Sequence, residues 1–173
     1  MQGHKITCQC CIEYIVTHFF YATICYHRSM ADFHFKIVAD EDGLAGAFSV
    51  RRLVFVREQG IPEELVYDGC DGEAMNIVAY RGDSIIGTAR VRFTGDGEAK
   101  LERMAVLPSY RSQGIGRELL SFVIERLKEE AVNRLVLHAQ HEAAGFYRKC
   151  GFEATGSLFS EAGMEHIKME RRL

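Results

Sequence analysis

Apolar and polar residues follow two different periods along this chain. F-H-F-K-I-V from Phe33 alternates one for one, which predicts a short strand. Leu44, Ala47, Phe48, Val54 and Phe55 then share one helical stripe, with Asp42 as the expected N-cap and Gly60 and Pro62 as the stop. After a polar, acidic loop from Glu63 to Glu73, Met75–Tyr80 and Ser84–Phe93 read as strands joined by R-G-D. The turn T-G-D-G-E leads into a further strand, Lys100–Leu107. Three strands with tight turns make an antiparallel meander.

The period then changes. Leu119, Leu120, Val123, Ile124, Leu127 and Ala131 form one helical face, with charged residues opposite. Arg134–Gln140 is expected as a strand and Glu142–Cys150 as a short helix closed by Gly151. Strands Glu153–Phe159 and Glu165–Arg171, joined through S-E-A-G, complete the chain. The strand, helix, strand passage from Lys100 to Gln140 requires a parallel crossover. The fold class is therefore α/β, or α+β, with a mixed sheet flanked by helices.

The chain has 173 residues, which suits one well-filled domain, and 47% apolar composition, which suits a soluble globular one. Its formal charge of −3 argues against a nucleic-acid partner, which would call for a basic balance. Residues 1–29 stand apart and hold Cys8, Cys10, Cys11 and Cys25 of the six cysteines. Their apolar run is shorter than the ~20 residues of a membrane span and carries Glu13. No signal-peptide cleavage pattern follows it, so neither membrane nor secretion is expected. C-Q-C-C lacks the ligand spacing of a zinc site, and no metal is expected. The reading is an amino-terminal extension, 1–29, that is a translated upstream region or packs on the domain or on a second copy of the chain, as a homodimer. Residues 30–173 then form the functional domain. Cys70 and Cys150 alone form no disulfide framework, which points to the cytoplasm.

The chemistry concentrates in M-A-V-L-P-S-Y-R-S-Q-G-I-G-R-E-L-L, Met104–Leu120. A strand ends, a short loop follows, and Gly114 and Gly116 open the amphipathic helix. The free N–H groups of a first helical turn favour an anion, and glycine lets a bulky diphosphate approach. Arg111 and Arg117 add positive charge. A Walker loop is excluded because Arg117 and Glu118, not Lys and Ser or Thr, follow Gly116. A dinucleotide fingerprint is excluded by the missing third glycine.

R-S-Q-G-I-G, Arg111–Gly116, resembles the Arg/Gln-x-x-Gly-x-Gly/Ala signature of the GNAT superfamily of N-acetyltransferases. A-G-F-Y-R-K-C-G-F, Ala144–Phe152, resembles that family's second motif. R-L-V-F-V-R-E-Q-G-I-P and L-F-S-E-A-G-M-E-H-I-K-M look like its ElaA-like branch. The resemblance covers about Phe33 to Arg171. It implies acetyl-CoA as donor, with Arg111, Ser112, Gln113, Gly114, Ile115 and Gly116 around the diphosphate. Met104, Ala105 and Val106 would pair with the pantetheine arm, and Gln140, where many members carry Asn, would be a further contact.

By the same resemblance Tyr147 protonates the departing thiolate, and a small-molecule or peptide amine is the acceptor. Glu102, expected on one strand face with Met104 and Val106, is the first choice for general base. A Glu is about six pKa units below an alkylammonium and would need a raised pKa or a water relay. His138 and His166 are alternatives and, with Phe55 and Glu58, are assigned to the acceptor pocket. The acidic loop Glu63, Glu64, Asp68, Asp71 and Glu73 suits either a cationic acceptor or plain solvation. A non-catalytic acyl-CoA-binding module is the second reading, and Tyr147 argues against it.

Overall fold

The alternation at the start of the domain forms an edge strand, β1 (Phe33–Val38), in the computed structural model, which describes residues 33–173. The extension 1–29, its four cysteines and the zinc question lie outside the described residues. Helix α1 (Glu41–Arg51) begins two residues earlier than expected. Its N-cap is Asp40, whose carboxylate accepts from the Gly43 N–H at 2.8 Å, and Asp42 falls inside the first turn. The helix continues as a π-helical segment, Arg52–Glu58.

The expected acidic loop holds a short helix, α2 (Glu63–Val66), and a 3-10 turn, Cys70–Glu73. Next come β2 (Met75–Arg81), β3 (Ser84–Gly95) and β4 (Glu98–Val106), the predicted meander. Gly95 pairs with Glu98 across the turn, and the two intervening residues, Asp96 and Gly97, both have positive φ, 51° and 71°. That is the two-residue turn whose twist matches a hairpin.

Helix α3 (Ile115–Glu129) buries Leu119, Leu120, Val123 and Leu127 against Ile77, Ala89, Leu101, Leu135 and Leu137 of the sheet. Each such fully buried aliphatic side chain contributes about 1.5–3 kcal/mol, so this stripe anchors the core. Strand β5 (Arg134–Gln140) and helix α4 (Ala144–Lys149) follow.

The expected strand 153–159 is interrupted. β6 (Glu153–Ala154) and β7 (Phe159–Glu161) are separate, because the chain leaves the sheet at Gly156, whose φ is 90°. Strand β8 (Met164–Arg172) pairs with both. The sheet order is β1-β2-β3-β4-β5-β8-β6, mixed, with β4 and β5 parallel as the crossover required. Among the described residues no helix is long and apolar enough to cross a membrane.

Candidate active site

The parallel pair β4 and β5 is joined only from Glu98–Arg134 to Leu101–Leu137. Beyond Leu101 and Leu137 the strands separate, leaving one edge of β4 without a strand partner. A cleft of about 390 Å³ opens in this fork, lined by Met104, Ala105 and Val106 on one arm and His138, Ala139 and Gln140 on the other. Phe55, Ile61, Leu65, Tyr147, Glu161 and His166 close it from other elements.

A β-bulge shapes the β4 arm. Thr88 pairs with Ala105 and Arg90 with Glu102, so Ala89 alone opposes both Arg103 and Met104. Arg103 takes a φ of 51° and is held there by its guanidinium, which donates to the Val66 and Leu65 carbonyls and to Asp68 at 3.1, 2.8 and 3.1 Å. The extra residue reverses the strand's phase. The expected common face of Glu102, Met104 and Val106 therefore does not hold. Met104 and Val106 pack on the α3 side, whereas Ala105 packs with Val50 and Val54 of the first helix.

Glu102 lines the cleft, but its carboxylate is bound by Arg90 at 2.8 Å and Lys100 at 3.1 Å. Burial pushes this carboxyl up, yet the hydrogen bonds from Arg90 and Lys100 outweigh it and hold the group below its ordinary value. A carboxylate so paired is a poor proton acceptor, which works against the general-base role expected of it. Arg90 is wholly buried and also binds Asp68 at 2.6 Å and Asp71 at 3.3 Å. Arg51, equally buried, binds Asp71 at 2.6 Å and Asn76 at 2.9 Å. Asp68 and Asp71 thus face arginines of the protein itself, and Glu63 pairs with Arg52 at 3.3 Å. At Asp68 and Asp71 the expected choice between a cationic acceptor and plain solvation is replaced by ion pairs to buried arginines, whereas Glu63 and its partner Arg52 stay exposed to solvent.

The mouth of the fork is the loop Arg111–Gly114. Ser112 and Gly114 have φ of 62° and 86°, so two of its residues are left-handed. No side chain caps α3, and its first hydrogen bond runs from the Glu118 N–H to the Gly114 carbonyl. The preceding N–H groups have no partner within the helix, an arrangement that suits an anion. Side chains of this stretch are engaged within the protein. Ile115 is buried in the core, and Gln113 donates back to the Ser109 carbonyl at 3.0 Å. Arg111 forms a forked pair with Glu58 at 2.6 and 2.7 Å and donates to the Val106 carbonyl at 2.9 Å. Glu58 is therefore drawn to Arg111 and is absent from the cleft lining. Its neighbour Gln59, which sequence reasoning missed, meets Gln140 at 3.0 Å.

Tyr147 stands on α4 between Phe146 and Phe152, with ring centroids 5.1 and 5.7 Å away. Its hydroxyl lies 3.7 Å from the Met104 sulfur, its hydrogen-bond partner in the structure. Burial pushes the phenol above its ordinary value of 10.0, so it remains a proton donor at neutral pH.

The description "Acetyltransferase (GNAT) domain" matches residues 39–173. The chain belongs to this family. It is 37% identical over 134 residues to YjcF of Bacillus subtilis (strain 168), named as an uncharacterized N-acetyltransferase, covering 77% of this chain and 95% of that one. The crystal structure of Escherichia coli ElaA superposes with a TM-score of 0.72 at 26% identity, over 82% of this chain and 99% of that one. A GNAT family acetyltransferase from Elizabethkingia anophelis, crystallised with acetyl-CoA bound, has a TM-score of 0.66 at 20% identity over 82% and 99%.

Acetyl-CoA is the donor cosubstrate of GNAT acetyltransferases, and two features here fit it. The uncapped helix with its left-handed loop suits a diphosphate, and the open edge of β4 suits an amide-bearing arm. Gly114→Ala is expected to raise the acetyl-CoA Kd about tenfold by calorimetry, because a side chain at this φ costs about 1–2 kcal/mol and the loop relaxes away from it.

Proposed function

We propose that this GNAT protein transfers the acetyl group of acetyl-CoA to a primary amine of a small molecule or peptide, by direct attack of the amine nitrogen on the thioester. The observation that carries this reading is the fork between β4 and β5, with an anion-binding helix end at its mouth and the Tyr147 hydroxyl in its lining. Acetyl-CoA supplies an activated acetyl group on a thiolate leaving group. The N–H groups of Ser112 to Gly116 hold its diphosphate. Main-chain groups of Met104–Val106 that face the open edge of β4, other than the Val106 carbonyl already bound by Arg111, pair with the pantetheine and offer an N–H to the thioester oxygen, where negative charge develops. Tyr147 gives its phenolic proton to the departing sulfur and recovers one from solvent.

Gln140 reaches Gln59 across the cleft, so it borders the cofactor channel as well as the acceptor side. Phe55 and Ile61 supply an apolar wall for the acceptor. The free thiols Cys70 and Cys150 accord with a cytoplasmic location.

Calorimetric titration with acetyl-CoA, followed by thiol release over polyamines, lysine peptides and free peptide amino ends, tests the reading. Binding with thiol release for at least one amine is expected. Binding without release for any amine would favour a non-catalytic acyl-CoA-binding module, and absence of binding would overturn both.

A further inference from the structure

An amine at neutral pH is mostly ammonium, with a pKa of about 10.4, and cannot attack until it loses a proton. Since Arg90 and Lys100 occupy Glu102, another group must accept it. His138 is the next residue of β5 after the last pair with β4, and Glu102 is the next of β4, so the two flank the closed end of the fork. His138 Nδ1 lies 2.8 Å from the Glu161 carboxylate, supplied by β7. Its ring stands edge-on to Phe159 with centroids 4.9 Å apart, and Phe159 packs on its other side against His166 at 6.0 Å. His138 and Glu161 both line the cleft that holds Tyr147.

We infer that His138 and Glu161 form a catalytic dyad in which His138 is the base that deprotonates the acceptor amine and Glu161 is its positioning residue. An ionised Glu161 can only accept a hydrogen bond, so the proton must sit on Nδ1, which leaves the Nε2 lone pair as the acceptor. Nε2 takes one proton from the ammonium, the N–H pair of electrons remains on the amine nitrogen, and the proton then passes to water. Glu161 stabilises the imidazolium in between, the same division of labour as the base and its orienting carboxylate in hydrolase triads. His166 is less suited, because its Nδ1 donates to the neutral Met164 carbonyl at 3.0 Å and it is 8% exposed. The other charged groups around His138 are Lys168, directly opposite on β8, and Glu102 and Lys100 across the fork. Lys100 is itself bound to Glu102.

The catalytic part rests on the acetyl-transfer reading, so two measurements are combined. In the free protein, side-chain 15N NMR followed across a pH titration should show that the neutral form of His138 carries its proton on Nδ1 and is bare at Nε2, with that preference lost in Glu161→Gln. The opposite tautomer in the wild type would overturn the dyad whatever the reaction. With the best amine of the panel, His138→Ala should lower kcat/KM about 10²- to 10³-fold and abolish the acidic limb of its pH profile. Added imidazole should restore part of the rate, which a purely structural histidine would not allow. Glu161→Gln should lose roughly tenfold, and acetyl-CoA Kd should stay unchanged in both variants. A wild type that turns over while His138→Ala stays within about threefold of it, or falls without imidazole rescue, would overturn the dyad alone. No thiol release from the wild type with any amine would overturn the acetyl-transfer reading and the dyad's catalytic role, with the NMR result standing separately.

Discussion

Tyr147→Phe is expected to lower kcat by about 10²- to 10³-fold while the acetyl-CoA Kd changes by less than about twofold. The substitution removes one oxygen and keeps the ring that packs against Phe146 and Phe152. The lost contact is a weak one, to the Met104 sulfur at 3.7 Å, so thermal stability should be unchanged or slightly higher. Under the acetyl-transfer reading the lost function is specific, because the phenol is the neutral acid in the fork lining that is assigned to protonate the departing thiolate. Burial holds the phenol above its ordinary value of 10.0, so ionisation of Tyr147 should not limit the rate at or below neutral pH. Stopped-flow thiol release and calorimetry on the same variant separate the two effects, and an unchanged kcat would remove Tyr147 from the mechanism.

Arg90→Met is expected to destabilise the protein by about 3–5 kcal/mol, enough to lower Tm by about 10 °C. The replacement fits the volume but leaves Asp68, Asp71 and Glu102 without the cation that serves all three. Two of these carboxylates, Asp71 and Glu102, have side chains only 9% and 10% exposed, so water does not take over the lost role. The same network makes stability depend on acid. The hydrogen bond from Arg90 holds the Asp68 carboxyl well below its ordinary 3.8, outweighing burial. A group whose folded pKa is depressed contributes stability above its unfolded pKa and loses it as pH falls toward the folded one. Urea midpoints of the wild type should therefore hold above about pH 5 and fall below about pH 4, and Arg90→Met should show a flatter acid limb. A variant with wild-type Tm would show that the arginine is replaceable.

Much of the fold follows from spacing. The meander, the amphipathic α3 and the parallel crossover rest on local alternation, on glycine turns and on a 3.6-residue stripe, all of which neighbours in sequence decide. The helix start shifted to Asp40 because two aspartates, Asp40 and Asp42, stand two residues apart and either has the chemistry of a cap. The break after Ala154 was hidden because T-G-S-L-F is apolar enough to read as strand while Gly156 turns the chain away.

The glycine loop that opens α3 and the place of Tyr147 in the cleft were legible because each belongs to a contiguous motif whose geometry depends on backbone shape or on one side chain. The bulge was not, since an extra residue in β4 leaves no trace in composition yet moves Glu102 to the opposite face from Met104 and Val106. Nor were the pairs Arg111–Glu58, Gln140–Gln59 and His138–Glu161, which join residues 53, 81 and 23 positions apart. The sequence by itself determined that a glycine loop would open α3 at Gly114, where a diphosphate is proposed to bind, and that a phenol would stand in the second motif. Which ionisable groups are free to act was decided only by the tertiary structure, because a side chain's proton affinity is set by the charges packed around it, and those come from distant strands.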